Sequence, residues 1–133
     1  MPDRRYTTTV PQKLGLAEDQ TVLFINAPDS LPAVLGALPH GVRVRKRLGK
    51  GLDVLLFFTT RRAELEARIE ALREAIRPDG MAWIAWPKRA SGVATDMNED
   101  VVRDVALPTG LVDTKVCAID ATWSGLRLTR RRS

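Results

Sequence analysis

Cysteine and histidine each occur once in this 133-residue chain, as Cys117 and His40. A single thiol excludes an internal disulfide and any zinc site built from several thiolates. The lone histidine lies in the loop Pro39-His40-Gly41 with no serine or cysteine motif beside it, so it reads as surface and not as a general base. Aromatic residues make up only 5% of the chain. With no zinc-finger, RRM or KH signature either, that scarcity argues against a reader of nucleic acid. No run approaches the roughly 20 apolar residues that span a bilayer. The opening Met1-Pro2-Asp3-Arg4-Arg5 leads into Tyr6 and three threonines, without the apolar stretch of a signal peptide. These absences predict a cytoplasmic protein with no membrane partner.

What is present describes one domain. Hydrophobic residues are 44% and charged residues 28% of the chain. A chain of this length buries roughly two-thirds of its unfolded surface, enough for a core. Residues 1–133 are read as a single α/β domain, with 1–20 a lead-in and 130–133 a solvated basic tail. The net charge is +5. Basic residues group at Arg43 to Lys50, at Lys88 and Arg89, and at Arg127 to Arg132, which admits an anionic partner.

Patterning alternates strands with helices. Val10 to Leu14 offers one helical turn before Gly15. Thr21 to Ile25 is a continuous apolar run, the mark of a strand buried on both faces. A short helix follows, capped by Asp29 or Ser30 and closing near Pro39 to Gly41. Val42 to Arg47 alternates apolar and basic residues, as an edge strand does with one face buried. Asp53 to Phe58 is a second buried strand. Thr59 or Thr60 then caps a helix from Arg61 to Arg77. Leu65, Ile69, Leu72 and Ile76 line one side of it, and Glu64 can pair with Arg68. Pro78-Asp79-Gly80 ends the helix, and Met81 to Trp86 is a third central strand. Trp83 and Trp86 fall on opposite faces of that strand. Asp96 and Glu99 open a further helix in capping-box fashion, with Met97, Val101, Val102 and Val105 inward. Leu111 to Ile119 reads as a strand with Cys117 in the core. A short loop, Asp120 to Ser124, leads to a return strand from Gly125 to Arg130. The crossovers imply a mostly parallel sheet of about six strands with helices on both faces. The last two strands are joined too tightly to be parallel and form an antiparallel hairpin.

This order of elements resembles the SAM-dependent methyltransferase fold, a Rossmann-like sheet ending in an antiparallel hairpin whose last strand inserts. Leu52 to Phe57, the long helix after it and Arg77-Pro78-Asp79-Gly80-Met81-Ala82-Trp83-Ile84 look like that fold's fourth and fifth strands. Gly110-Leu111-Val112 precedes the hairpin in the same way. Over nearly its whole length the chain resembles an uncharacterised family of short bacterial proteins. Ala85 to Asp96, Lys115 to Asp120 and Thr122 to Leu126 carry that likeness. The resemblance implies a truncated methyltransferase fold in which one pair of elements between the second and fourth strands is absent. It also implies where cofactor contacts should lie. A methyltransferase has a glycine-rich turn after its first strand; here the turn is Asn26-Ala27-Pro28-Asp29-Ser30. An acidic residue usually ends the second strand and accepts from the ribose hydroxyls; here the strand ends in Arg45-Lys46-Arg47.

Ligands of open α/β sheets bind beyond the carboxyl ends of the strands. That border should gather Asn26, Asp29, Thr59, Lys88, Arg89, Ser91, Gly92, Asp96, Asp120 and Trp123. Lys88-Arg89-Ala90-Ser91-Gly92 can hold a phosphate or carboxylate through its cations, hydroxyl and exposed backbone, or it can be a solvated turn. Asp29 and Asp96 are read first as helix caps and Asp120 as closing the hairpin turn, with acid–base or metal roles as the alternative. Trp123 either stacks on a planar ligand or folds down over the sheet. No metal and no resident cofactor is expected, although SAM remains an option. The favoured reading is a non-catalytic module binding an anionic small molecule or a protein. The alternative is a SAM-dependent methyltransferase with an atypical cofactor site. A third reading is a basic protein associated with nucleic acid.

Overall fold

The computed structural model describes residues 9–131. Residues 1–8 of the expected lead-in and 132–133 of the expected basic tail lie outside them. The chain runs α1 (Val10–Lys13), β1 (Thr21–Ile25), α2 (Leu31–Leu35), β2 (Arg43–Arg45), β3 (Leu52–Phe58), α3 (Arg62–Ala75), β4 (Ile76–Pro87), α4 (Glu99–Ala106), β5 (Leu111–Ala118) and β6 (Trp123–Arg130). The six strands form one sheet in the order β2-β1-β3-β4-β6-β5. β2, β1, β3 and β4 are parallel, and β6 runs antiparallel between β4 and β5.

Side-chain alternation along the central strands divides the core in two. Leu55, Phe57, Ala82, Ile84 and Trp86 pack under α3 and α4 with Leu65, Ile69, Leu72, Val102 and Val105. Val54, Leu56, Phe58, Trp83 and Ala85 pack under α1 and α2 with Leu14, Leu31 and Leu35. Each of the two tryptophans therefore fills a different layer. Trp83 is fully buried, and its indole Nε1 donates to the Leu14 carbonyl at 2.9 Å, tying the lead-in to the central strand. A β-carbon on Gly125 would sit 3.1 Å from the Trp83 ring, so the bare backbone of β6 is what lets that ring lie flat.

Several boundaries differ from expectation. The Asp29 and Ser30 side chains do not cap α2; Ser30 occupies the N-cap position without a side-chain bond, and the helix stops at Gly36. α3 ends at Ala75 and passes straight into β4. Pro78-Asp79-Gly80 is thus not a turn after a helix. It is an irregular insertion within β4, where the partners of β3 jump from Leu52↔Ile76 to Val54↔Met81. All three residues of β2 are exposed, where a half-buried strand was expected, because no helix among the described residues packs across it. β5 is the opposite edge, largely exposed along its middle, and Cys117 is only partly buried. Burial nevertheless pushes the Cys117 thiol above its ordinary value.

α4 is fastened to β5 by Arg103. Its guanidinium donates to Asp113 Oδ2 at 2.7 Å and also bonds Glu99. The bond from Arg103 holds the Asp113 carboxyl below its usual range, with burial opposing.

Two predictions follow from these contacts. A methyl at Gly80 would lie 2.8 Å from the Leu52 carbonyl oxygen. Backbone on both sides leaves no room to yield, so Gly80→Ala should cost about 1–3 kcal/mol in urea unfolding. The Arg103–Asp113 clamp has a pH signature. A depressed carboxylate stabilises fully above its unfolded value of about 3.9 and loses that contribution as pH falls through the lower folded value. Urea midpoints of the wild type and Asp113→Asn should therefore differ at about pH 7 and converge toward about pH 2.

Candidate functional site

The order of strands reverses between β1 and β3, where open α/β sheets form their ligand crevice. Here the chain fills that notch itself. Asn26, immediately after β1, takes a positive φ of 58°. Its amide donates to the Phe58 carbonyl at 3.0 Å and to Glu64 Oε2 at 3.1 Å. The buried Thr59 hydroxyl donates to Glu64 Oε1 at 2.6 Å and accepts from the Arg61 N–H. Glu64 thus joins the ends of β1 and β3. It does not pair with Arg68, whose guanidinium lies over the Phe57 ring.

Farther along the border, β4 meets the hairpin. Lys88 Nζ donates to the Asp120 carbonyl at 2.7 Å, and the Lys88 N–H donates to the Thr122 carbonyl. Asp120 Oδ1 accepts from the Thr122 and Trp123 N–H groups, both at 2.8 Å, which is the turn-closing role. Trp123 is the first residue of β6 and not part of a loop. It meets Phe58 edge to face at 5.1 Å and is half-buried, so it folds down against the core. Lys88, expected as a ligand cation, is a strut between β4 and the hairpin.

Ser91 is also spent locally. Its hydroxyl donates to the Lys88 carbonyl and accepts from Val93, closing a single 3-10 turn that ends at Gly92 with φ 77°. Beyond it lies a polar hollow of about 360 Å³, lined by Trp86, Pro87, Arg89, Gly92, Val93, Thr95, Asp96, Met97 and Asn98. Arg89 is exposed on its wall. Among the described residues no carboxylate lies within salt-bridge distance of it. Asp96 does not cap its own helix. Asn98 caps α4 by accepting from Val101, while Asp96 Oδ1 accepts the Arg62 N–H at 2.8 Å and so caps α3. Thr95 donates to the Thr60 carbonyl at 2.6 Å. These two bonds dock the loop on the end of β3.

Asp29 stands apart. It lines a second hollow of about 440 Å³, otherwise made mostly of apolar side chains: Phe24, Leu31, Leu35 and Leu38 among them. The border therefore carries two hollows with no lining residue in common. The expected single pocket is divided. Among the described residues no cluster of three or more His, Cys, Asp or Glu side chains is arranged to hold a metal, and no helix is long and apolar enough to cross a membrane.

Strand order, the inserted β6 and the helices on each face together decide the architecture. The chain has a methyltransferase-like Rossmann fold. A SAM-dependent methyltransferase from Aquifex aeolicus is similar over 96% of this chain and 93% of its own, with a TM-score of 0.60 at 16% identity. Aeropyrum pernix fibrillarin, solved with natively bound S-adenosyl-L-methionine, is similar over 90% of this chain and 73% of its own, with a TM-score of 0.57 at 14% identity. A TehB-like SAM-dependent methyltransferase from Corynebacterium glutamicum is similar over 92% and 88%, with a TM-score of 0.55 at 10% identity. No protein-family model and no curated protein matches the sequence.

The residues present do not fit SAM. The turn after β1 contains Pro28, which has no N–H, and the Asn26 amide points back into the notch. β2 ends in Arg45, whose guanidinium is held by the Lys50 carbonyl at 2.7 Å and offers no acceptor to a ribose.

Glu64 is the residue that sequence reasoning missed. Its spacing to Arg68 suggested a surface pair; its position five residues after Thr59, on the first turn of α3, was the available signal. Two donors converge on its two oxygens, so an amide, with one acceptor oxygen, can satisfy only one of them. Glu64→Ala should destabilise by about 1–3 kcal/mol and Glu64→Gln by less, as read from urea midpoints. Equal stability of all three proteins would mean that the bridge contributes nothing.

Proposed function

We propose that this chain is a non-catalytic binding module that takes a small anionic ligand in the hollow beside Arg89. The observation that carries this reading is the Asn26–Glu64–Thr59 bridge. It occupies, with the chain's own hydrogen bonds, the notch where a methyltransferase-like sheet would receive its cofactor. The Arg89 hollow supplies what an anion needs: a guanidinium without an acidic partner among the described residues and the Asn98 side-chain amide, whose oxygen is used in capping α4 and whose NH2 is the donor. Asp96 lies in the same wall, but its Oδ1 is spent on the Arg62 N–H. A cytoplasmic location, and a kinship with short bacterial proteins through Ala85 to Asp96, Lys115 to Asp120 and Thr122 to Leu126, belong to the same proposal.

Thermal unfolding tests both halves. A ligand present at about 100 times its Kd stabilises by about 2.7 kcal/mol. For a domain of this size that raises Tm by roughly 10 °C. SAM at about 1 mM should leave Tm unchanged; a clear rise would restore the methyltransferase reading. Phosphate stabilises most proteins by exclusion from their surface, so the comparison must be with a variant. Phosphate should raise Tm more in the wild type than in Arg89→Ala. Equal shifts would remove the hollow as an anion site.

A further inference from the structure

β2 is the end of the sheet, and its outer side has no partner among the described residues. Arg43 donates its N–H inward, to the carbonyl of Gln20, the residue just before β1, at 2.8 Å. Backbone groups alternate in direction along a strand, so the N–H and C=O of Val44 point away from the sheet. The Val44 side chain is 49% exposed and Leu48 is 36% exposed. Between residues 42 and 52 the chain carries Arg43, Arg45, Lys46, Arg47 and Lys50 and no acidic residue. Two of these cations are pre-oriented: Arg43 donates to the Thr21 hydroxyl and Arg45 to the Lys50 carbonyl.

We propose that this edge receives an acidic, extended segment of a partner protein as an added β-strand. The backbone groups of Val44 supply the pairing positions, and strand addition is how an open edge binds peptide. The charge selects the occupant. A second copy of β2 would set arginine and lysine opposite arginine and lysine, which is repulsive across a sheet. A strand alternating acidic and apolar residues would place its carboxylates against Arg43 and Arg45 and its apolar side chains against Val44 on the other face. The same charges that guard the edge against self-association thus choose a partner. Nucleic acid also answers to positive charge, but it cannot pair with a strand backbone, and residues 42–52 hold no aromatic side chain on which bases could stack.

The probe is a synthetic eight-residue peptide alternating glutamate and valine, titrated into the full chain while backbone amides are followed by NMR hydrogen exchange. Binding should slow exchange at Val44 and weaken as salt is raised. Val44→Pro removes the outward-facing N–H together with the exposed valine side chain, and proline suits an edge strand, so Tm should hold while affinity falls about tenfold or more. The pair Arg43→Glu and Arg45→Glu, the two cations set against the peptide's carboxylates, should weaken binding comparably. If Val44→Pro lowers Tm, that pair of charge changes decides alone. Absence of binding would overturn the proposal. So would equal binding of a lysine–valine peptide, binding without protection of Val44, or single-stranded DNA binding more tightly than the peptide. None of these outcomes bears on the hollow beside Arg89, which lies at the end of β4.

Discussion

Strands β3 and β4 are hydrophobic on both faces, and the rest of the molecule is arranged to cover them. Leu55, Leu56, Phe57, Trp83, Ile84 and Ala85 are all essentially inaccessible to water. Two faces need two covers, and this short chain has little helix to supply them. α3 and α4 seal one face. The other is sealed by five residues of α2 and by a lead-in pinned through Trp83. Cover is sufficient at the centre and runs out at the edges. That shortage explains why β2 is exposed on both sides and why β5 shows charge along its middle.

The same economy shapes the ligand border. Along the border, polar side chains bond to one another and to the backbone. Asn26, Thr59 and Glu64 close the notch between β1 and β3. Thr95 and Asp96 dock the loop after β4 onto Thr60 and Arg62, and Lys88 ties β4 to the hairpin turn. Each bond removes a polar group from the inventory available to a ligand. Arg89 stays out of this network, which leaves the hollow it lines with an unspent donor. A fold shared with methyltransferases does not by itself bring their chemistry, since function rests on the site and not on the sheet.

Much of the architecture was legible in the residues. The apolar runs Val22 to Ile25 and Val54 to Phe58 and the helical spacing of Leu65, Ile69 and Leu72 demand a parallel sheet covered on both sides. The tight Asp120 turn demands an antiparallel close, and Asp120 does close it. What misled were local signals with two meanings. Pro78-Asp79-Gly80 has the composition of a turn in either setting, and only the close approach of the Leu52 carbonyl makes it a break within a strand. Leu111 to Ile119 has a strand's composition, but whether such a strand is central or an edge depends on what packs over it.

Sequence alone determined the order and type of the main strands and helices, though not where α3 gives way to β4, because periodicity is a property of neighbours along the chain. It also determined that a glycine-rich turn and an acidic strand end are lacking. Tertiary structure decided how the border residues are used. Asp96 precedes α4 yet caps α3, and Glu64 passes over Arg68 to join Asn26 and Thr59. Hydrogen bonds between elements depend on distances that only folding sets, and spacing along the chain carries no record of them.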